Sequence, residues 1–401
     1  MKLKSAEPFW LVKNGIINSY PSLRHNIDTE ILVVGGGITG ALIAHQCVKD
    51  GYKTVLADRR EIANGSTSAT TAMLQYEIDI PLYQLIEMVG ETGAVQSYRA
   101  CSQSVDTLAG IVAEIGSESG FARKQSVYYA EKNKDVEWLK KECATRSDYG
   151  FEVAWLEAEE IEHRFGLTNT CGGILSAQGG SIDAFLFTHH LHAWNRQNGA
   201  DIFDKTEITN VRYKKDHVIA KTAFGNTIKA RKIIYCNGFE STEIIKENFV
   251  KLVSTYAMVT EPQQQPLAGI SHTLFWSTGS PYLYIRTTDD NRLLVGGGDE
   301  YFSDTAKRDK LLQAKSGELL QLANKLLPGQ DFRLDFSWAG TFGQTKDGLP
   351  FVGAHPKFSS ALFVLGFGGN GISFSVAAME LVSQMLQGNT PPLAEYFRFG
   401  R

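Results

Sequence analysis

Gly35, Gly37 and Gly40 belong to the run Gly35-Gly36-Gly37-Ile38-Thr39-Gly40, which satisfies the G-x-G-x-x-G spacing. In such a run the first glycine permits a tight turn and the second lets backbone approach a pyrophosphate. The third lets a helix pack closely on the preceding strand. Ile38 and Thr39 then begin a helix whose unpaired N–H groups favour an anion. Asp58 lies 18 residues beyond Gly40, close to the ~20 expected of a carboxylate that reaches a ribose hydroxyl. Arg59 and Arg60 follow it and could hold a 2′-phosphate, although the acid would repel that group. The chemistry indicated is dinucleotide binding, with FAD, NAD and NADP open at this point.

A second turn of the same character lies near the other end of the chain. Gly366 to Gly371 follows an apolar run at 362–365, and Gly368, Gly369 and Gly371 permit close backbone approach. Asn370, Gly371 and Ile372 open a helix whose N–H dipoles can face the negative charge of a reduced flavin. That effect contributes about 0.3–2 kcal/mol. Two anion-shaped turns at opposite ends of one chain favour a long cofactor such as FAD.

These turns need particular elements to hold them. Ile31-Leu32-Val33-Val34 is a continuous apolar run of the kind found in a parallel strand buried on both faces. A helix over 38–50 and a strand over 53–57 complete a βαβ opening. Helical patterns follow over 81–116, 133–147, 157–165, 182–198 and 305–327. Strand patterns occupy 125–130, parts of 200–236, then 250–260, 281–286 and 291–297, and the chain closes on a strand at 362–365 and a helix at 371–386. The pattern predicts an α/β fold with a Rossmann-like domain made of the discontinuous segments 1–90, 172–241 and 335–401. An inserted α+β substrate domain with an antiparallel sheet takes 91–171 and 242–334. The first 28 residues read as an irregular, aromatic arm lying on the body.

Composition excludes several classes. Hydrophobic residues make up 43% of the 401 and charged residues 21%, with a net charge of −4, so the chain is globular and lacks a global basic field. A nucleic-acid partner is not expected. No apolar run reaches the ~18–20 residues of a membrane span, and a soluble cytoplasmic protein is the default expectation. The five cysteines show no C-x-x-C spacing, which argues against a disulfide framework, a zinc ribbon or an iron–sulfur cluster. His189, His190 and His192 lie within one helical turn, but no further ligand type joins them at metal spacing.

Five separated blocks resemble, in order, the FAD-dependent oxidoreductase superfamily that contains D-amino acid oxidase, glycine oxidase and sarcosine oxidase. They are Glu30–Gly40 with Asp58, Gly65–Ala72, Gly179–Asp183, Lys232–Gly238, and Trp338–Pro350 with Gly366–Ile372. The arm, with Trp10 and Tyr20-Pro21-Ser22-Leu23, is similar to that of the γ-glutamylputrescine oxidoreductase branch. The resemblance implies that Ser66, Thr67, Ser68 and Thr71 line the pyrophosphate and ribityl chain. It places Gly238 near the adenosine half and Gly340 in the block that closes the site. The cysteine that attaches flavin in sarcosine oxidase has no counterpart in 330–371, so FAD is expected to be non-covalent.

The resemblance further implies oxidation of the C–N bond of a small amine or amino acid, by hydride transfer to flavin N5, giving an imine that hydrolyses. The electron acceptor stays open between O2 and another molecule. Phe342 stands where glycine and D-amino acid oxidases carry a carboxylate-clamping arginine, and Leu294 where sarcosine oxidase carries a lysine. Arg286 could replace the clamp, and Tyr256, Tyr282 and Tyr284 could line the pocket. Glu77 and Asp79 could attract an ammonium. The alternative reading is a flavoprotein of this fold acting on a macromolecule, such as an aminomethyl-modified tRNA base. A nicotinamide-dependent reductase ranks last, because only the Gly35–Gly40 turn combines the G-x-G-x-x-G spacing with a strand before it, a helix after it and an acid at the end of the next strand.

Overall fold

The computed structural model describes every residue except 268, 280, 281 and 367. Pro281 and Phe367, both part of the motifs above, therefore lie outside the described residues. The apolar run at 31–34 sits in the middle of an eight-stranded sheet, as part of the strand Ile27–Val34. Thr54–Ala57 flanks it in parallel on one side and Thr227–Tyr235 on the other. Asp201–Phe203 extends the sheet beyond Thr54–Ala57, again in parallel. Ala361–Leu365 pairs in parallel with the end of Thr227–Tyr235, so the last strand of the chain arrives beside the first glycine turn.

Helix Ile38–Lys49 is buried on most of its surface because it lies between two others, Ala184–Gln197 and Gly371–Leu386. The expected helix over 81–116 is two helices, Leu82–Val89 and Glu91–Glu114, broken at Gly90 with φ +81°. Helix Ala184–Gln197 begins on an Asp183 side chain that accepts the Leu186 N–H, an ordinary N-cap. His192 on this helix lies 3.1 Å from the Gly36 carbonyl through Nε2, which must donate there. Burial holds its pKa down at about 3, so the ring is a neutral strut under the glycine turn.

The second sheet has nine strands and is antiparallel apart from one pairing, Thr273–Ser277 with Gln125–Tyr129. At its centre Lys251–Thr260 pairs with Leu293–Glu300 and with Leu334–Gln344. Strand pairing moves several of the expected boundaries. Gly173–Ser176 and Leu334–Gln344 belong to this second sheet rather than to the nucleotide-binding half. Conversely, Glu91–Glu114 packs on Gly371–Leu386 and shares its core. A small third sheet, from Met73–Gln75, Gly179–Ser181 and Ala122–Arg123, joins the two halves.

The aromatic arm is an integral part of the core. Lys4–Ser5 adds a strand to Leu334–Gln344, and Phe9–Asn14 forms a short helix. Trp10 is fully buried there, and its indole N–H donates to the Thr70 carbonyl at 2.7 Å. The ring also covers the guanidinium of Arg286, 5.3 Å from its centroid. Trp10→Ala should therefore cost about 3–5 kcal/mol, the usual range for emptying a buried aromatic site. Urea unfolding checks this, and a loss below about 1 kcal/mol would show that the arm is peripheral.

Candidate active site

A cavity of about 1100 Å³ runs between the two sheets, a little larger than the ~300–1,000 Å³ usual for a small-ligand pocket. Gly35, Gly37, Ile38 and Thr39 line its middle. Gly35 has φ +111°, and a Cβ there would lie 2.5 Å from the Cys236 carbonyl oxygen, so only glycine fits. A Cβ on Gly40 would run into the Gly35 carbonyl. Gly40 accordingly does not face the cavity; it lets the helix close onto the turn.

At one end the cavity meets Asp58, Arg59 and Gly238. The Asp58 carboxylate accepts the Gly36 N–H at 2.6 Å and the Arg60 N–H at 2.7 Å, one on each oxygen. A carboxylate has about four acceptor positions, so capacity for a ribose hydroxyl remains. Arg59 and Arg60 both pair with Glu240, and Arg59 also lies 3.7 Å from Glu243. Their charges are matched within the chain, which disfavours a 2′-phosphate here.

The hydroxyl-rich stretch splits by direction. Ser66, Thr67 and Thr71 line the cavity, with Thr67 Oγ1 accepting the Ile38 N–H at 3.0 Å. Ser68 is fully buried and turned away, donating to the Gly65 carbonyl and accepting from Lys4. Gly340 lines the wall, and Gly368, Gly369, Gly371 and Ile372 form the far turn. Asn370 does not face the cavity. Its side-chain amide donates to the carbonyls of Gln75 and Glu77 at 3.0 and 2.8 Å, tying the turn to the small third sheet. Two of the N–H groups expected to face a flavin already have partners, Gly368 on the Gly343 carbonyl and Gly369 on the Asp79 carboxylate.

The far end is walled by the second sheet, where side chains alternate between faces. Gly340, Phe342 and Gln344 face the cavity, as do Thr255 and Tyr284. Tyr256, one residue on, points to the opposite face, where it is fully buried in the core beneath helix Thr305–Leu326. It is not a pocket residue. Arg286 shares a face with Tyr282 and Tyr284 but lies outside the cavity lining. It is buried, donates to the Ala72 and Ile182 carbonyls at 2.7 and 3.1 Å, and is capped by Trp10. Those contacts make it a brace between segments, not a substrate clamp.

Two lining groups were not singled out from sequence. Arg146 is buried, with Nε 2.6 Å from Glu142 and Nη1 3.4 Å from Glu77. Asp299 reaches the cavity because the strand Leu293–Glu300 bulges. Tyr256 pairs with Gly297 but Ser254 pairs with Glu300, leaving two residues opposite one. Gly297 and Gly298 absorb the irregularity at φ +140° and +66°. The extra residue returns Asp299 to the cavity face, beside Thr255. Burial raises its pKa to about 6, and the nearby Asp79 adds to the rise. The run Gly296-Gly297-Gly298 inside a strand was the available signal.

The family of FAD dependent oxidoreductases matches residues 30–385. The chain belongs to that family. Its relatives include a glycine oxidase from Bacillus licheniformis, 26% identical over 92% of this chain and 95% of the relative. A gamma-glutamylputrescine oxidoreductase from Escherichia coli is 23% identical, covering 92% and 86%. The fold matches the crystal structure of glycine oxidase from Geobacillus kaustophilus with a TM-score of 0.78 and 21% identity, covering 94% of this chain and all of that one. An FAD-dependent oxidoreductase thus has its family's cofactor implied, and the cavity fits it: both glycine turns approach closely only because they lack side chains.

Among the described residues no helix is long and apolar enough to cross a membrane, and no cluster of three or more His, Cys, Asp or Glu could hold a metal. Gly37 offers the cleanest check on the dinucleotide groove. Its backbone is extended, so a side chain adds no strain, but a Cβ would sit 2.9 Å from Thr67 Oγ1. Gly37→Val should retain the fold by circular dichroism yet carry less than a tenth of the normal flavin, read from the ratio of visible to ultraviolet absorbance. Normal flavin content would place the pyrophosphate elsewhere.

Proposed function

We propose that this oxidoreductase oxidises the C–N bond of a small amine or amino acid, with FAD held non-covalently. The observation that carries the reading is one continuous cavity bounded by both glycine turns and by the antiparallel sheet. When bound, FAD supplies a two-electron acceptor able to take a hydride from the carbon beside nitrogen. The protein's own part is placement. Helix Ile38–Lys49 and helix Gly371–Leu386 both direct their N-termini at the cavity, where partial positive charge favours anionic groups. The sheet wall, with Tyr284, Thr255 and Phe342, closes the far end and displaces water from the reacting carbon. The oxidised substrate is an imine, which water converts to a carbonyl compound and ammonia or a smaller amine.

Attachment without a covalent bond is supported by the thiols. Cys236 lines the cavity beside Gly35, away from the sheet wall, and burial pushes its pKa up, so the thiolate needed for attachment is disfavoured. The purified protein should be yellow, and acid precipitation should release all of the flavin into the supernatant. Under anaerobic conditions at least one member of a panel of amines and amino acids should bleach the visible band. Readmitting air then distinguishes O2 from another acceptor by the rate of recolouring. A yellow protein that no amine or amino acid bleaches would overturn the reading.

A further inference from the structure

The sheet end of the cavity is built for positive charge. Glu77, Asp79 and Asp299 all line it, against one guanidinium, that of Arg146. Arg146 already has two carboxylate partners, Glu142 on Nε and Glu77 on Nη1, which offset its charge. The carboxylates, by contrast, have unused oxygens. Glu77 is 3% exposed, and while its Oε1 accepts from Ser126, Ser176 and Arg146, its buried Oε2 has no partner. Asp299 Oδ1 is likewise buried without a partner.

Aromatic rings complete the wall. Trp276, Tyr282 and Tyr284 line the same end, with Tyr282 and Tyr284 5.5 Å apart between ring centroids. The Tyr284 ring lies over Gly296, its direct cross-strand partner, where any side chain would collide with it. The glycine that seats this ring belongs to the run whose bulge turns Asp299 inward. Thr255 neighbours both Tyr284 and Asp299, so ring and carboxylate flank one residue of the cavity wall. A carboxylate beside aromatic faces is the arrangement that binds an organic ammonium, by ion pairing and by attraction to the π systems.

We propose, building on the amine-or-amino-acid reading above, that the substrate is a cationic amine without a neighbouring carboxylate, its ammonium held between Asp299 and the rings of Tyr282, Tyr284 and Trp276. Turnover then needs one proton to leave nitrogen, an N–H bond breaking as an O–H bond forms on Asp299, so that the nitrogen lone pair becomes available. The groups facing Asp299 are Thr255, Asp79, Lys315, Tyr282 and Tyr284. Lys315 is itself paired with Glu300 at 2.7 Å, which leaves Asp299 available to a ligand.

The test is calorimetric titration of the purified flavin-loaded protein with benzyltrimethylammonium and, separately, with benzoate. Benzyltrimethylammonium should bind at least tenfold more tightly than benzoate at pH 8, and its affinity should fall as the pH drops through about 6 and Asp299 takes a proton. Asp299→Asn should weaken the ammonium at least tenfold without weakening benzoate. Tyr282→Leu should weaken it three- to tenfold and serves as the second variant should D299N fold poorly. Tighter binding of benzoate, no binding of the ammonium, or ammonium affinity unchanged in the folded variants would overturn the proposal. Because the readout is heat rather than bleaching, a protein that binds the ammonium but is bleached by no amine would fail the redox reading alone.

Discussion

The packing of helix Ile38–Lys49 against helix Gly371–Leu386 is the constraint on which the rest of the molecule depends. The two are joined near their N-termini by a hydrogen bond of 2.7 Å between the hydroxyls of Thr39 and Ser375, which are 336 residues apart. Each N-terminus carries unpaired N–H groups and partial positive charge, and the cavity places both at one ligand. Close approach is a matter of missing atoms. A Cβ on Gly366 would lie 2.6 Å from the Gly371 carbonyl oxygen, and one on Gly371 3.0 Å from that of Gly366. The far turn can fold onto itself, and the near turn onto Cys236, only with glycine at these positions.

Everything between the two helices can be understood as a means of bringing them together. Ala361–Leu365 must pair with Thr227–Tyr235 for the last helix to begin at the right height. Parallel pairing of this kind closes a very long loop, whose entropic cost rises only slowly with length. Inserting a whole antiparallel sheet therefore adds little to the entropic cost of this closure. The inserted sheet is then pinned twice more, by the Lys4–Ser5 strand and by Trp10, whose indole bridges to Thr70 while its ring covers Arg286.

The nucleotide-binding half was legible in the sequence because its signals are local. A strand, three glycines and a helix lie within about twenty residues, and each glycine's role follows from its place in the turn. The same locality explains the errors. Tyr256 and Tyr284 are both aromatic residues on strands of one sheet, separated by Leu293–Glu300, yet Gly297 pairs with both Tyr256 and Leu283, so period-2 alternation puts Tyr284 on the opposite face. Pairing register is not written in either strand alone. Arg286 does lie on the cavity-side face, but distant segments take it up, the Ala72 and Ile182 carbonyls accepting from it and Trp10 lying over it. Ser68 and Asn370 sit inside the right motifs but face inward to hold them. Asp299 was overlooked for the opposite reason: ordinary alternation would have hidden it, and a bulge exposed it.

The two ends of the cavity make opposing electrostatic demands, and Asp79 stands between them. Its carboxylate accepts the Gly369 N–H at 3.0 Å, so the chain itself supplies an anion to a turn suited to receive one. A negatively charged ligand brought to that turn would meet the carboxylate, and a cation at the sheet end would be drawn toward it. Burial bears on both demands. Desolvation raises the Asp79 pKa, with the Gly369 N–H opposing the rise. Negative charge nearby would push it further the same way and a cation would oppose it, so the two ends of the cavity act on this one carboxyl in opposite senses.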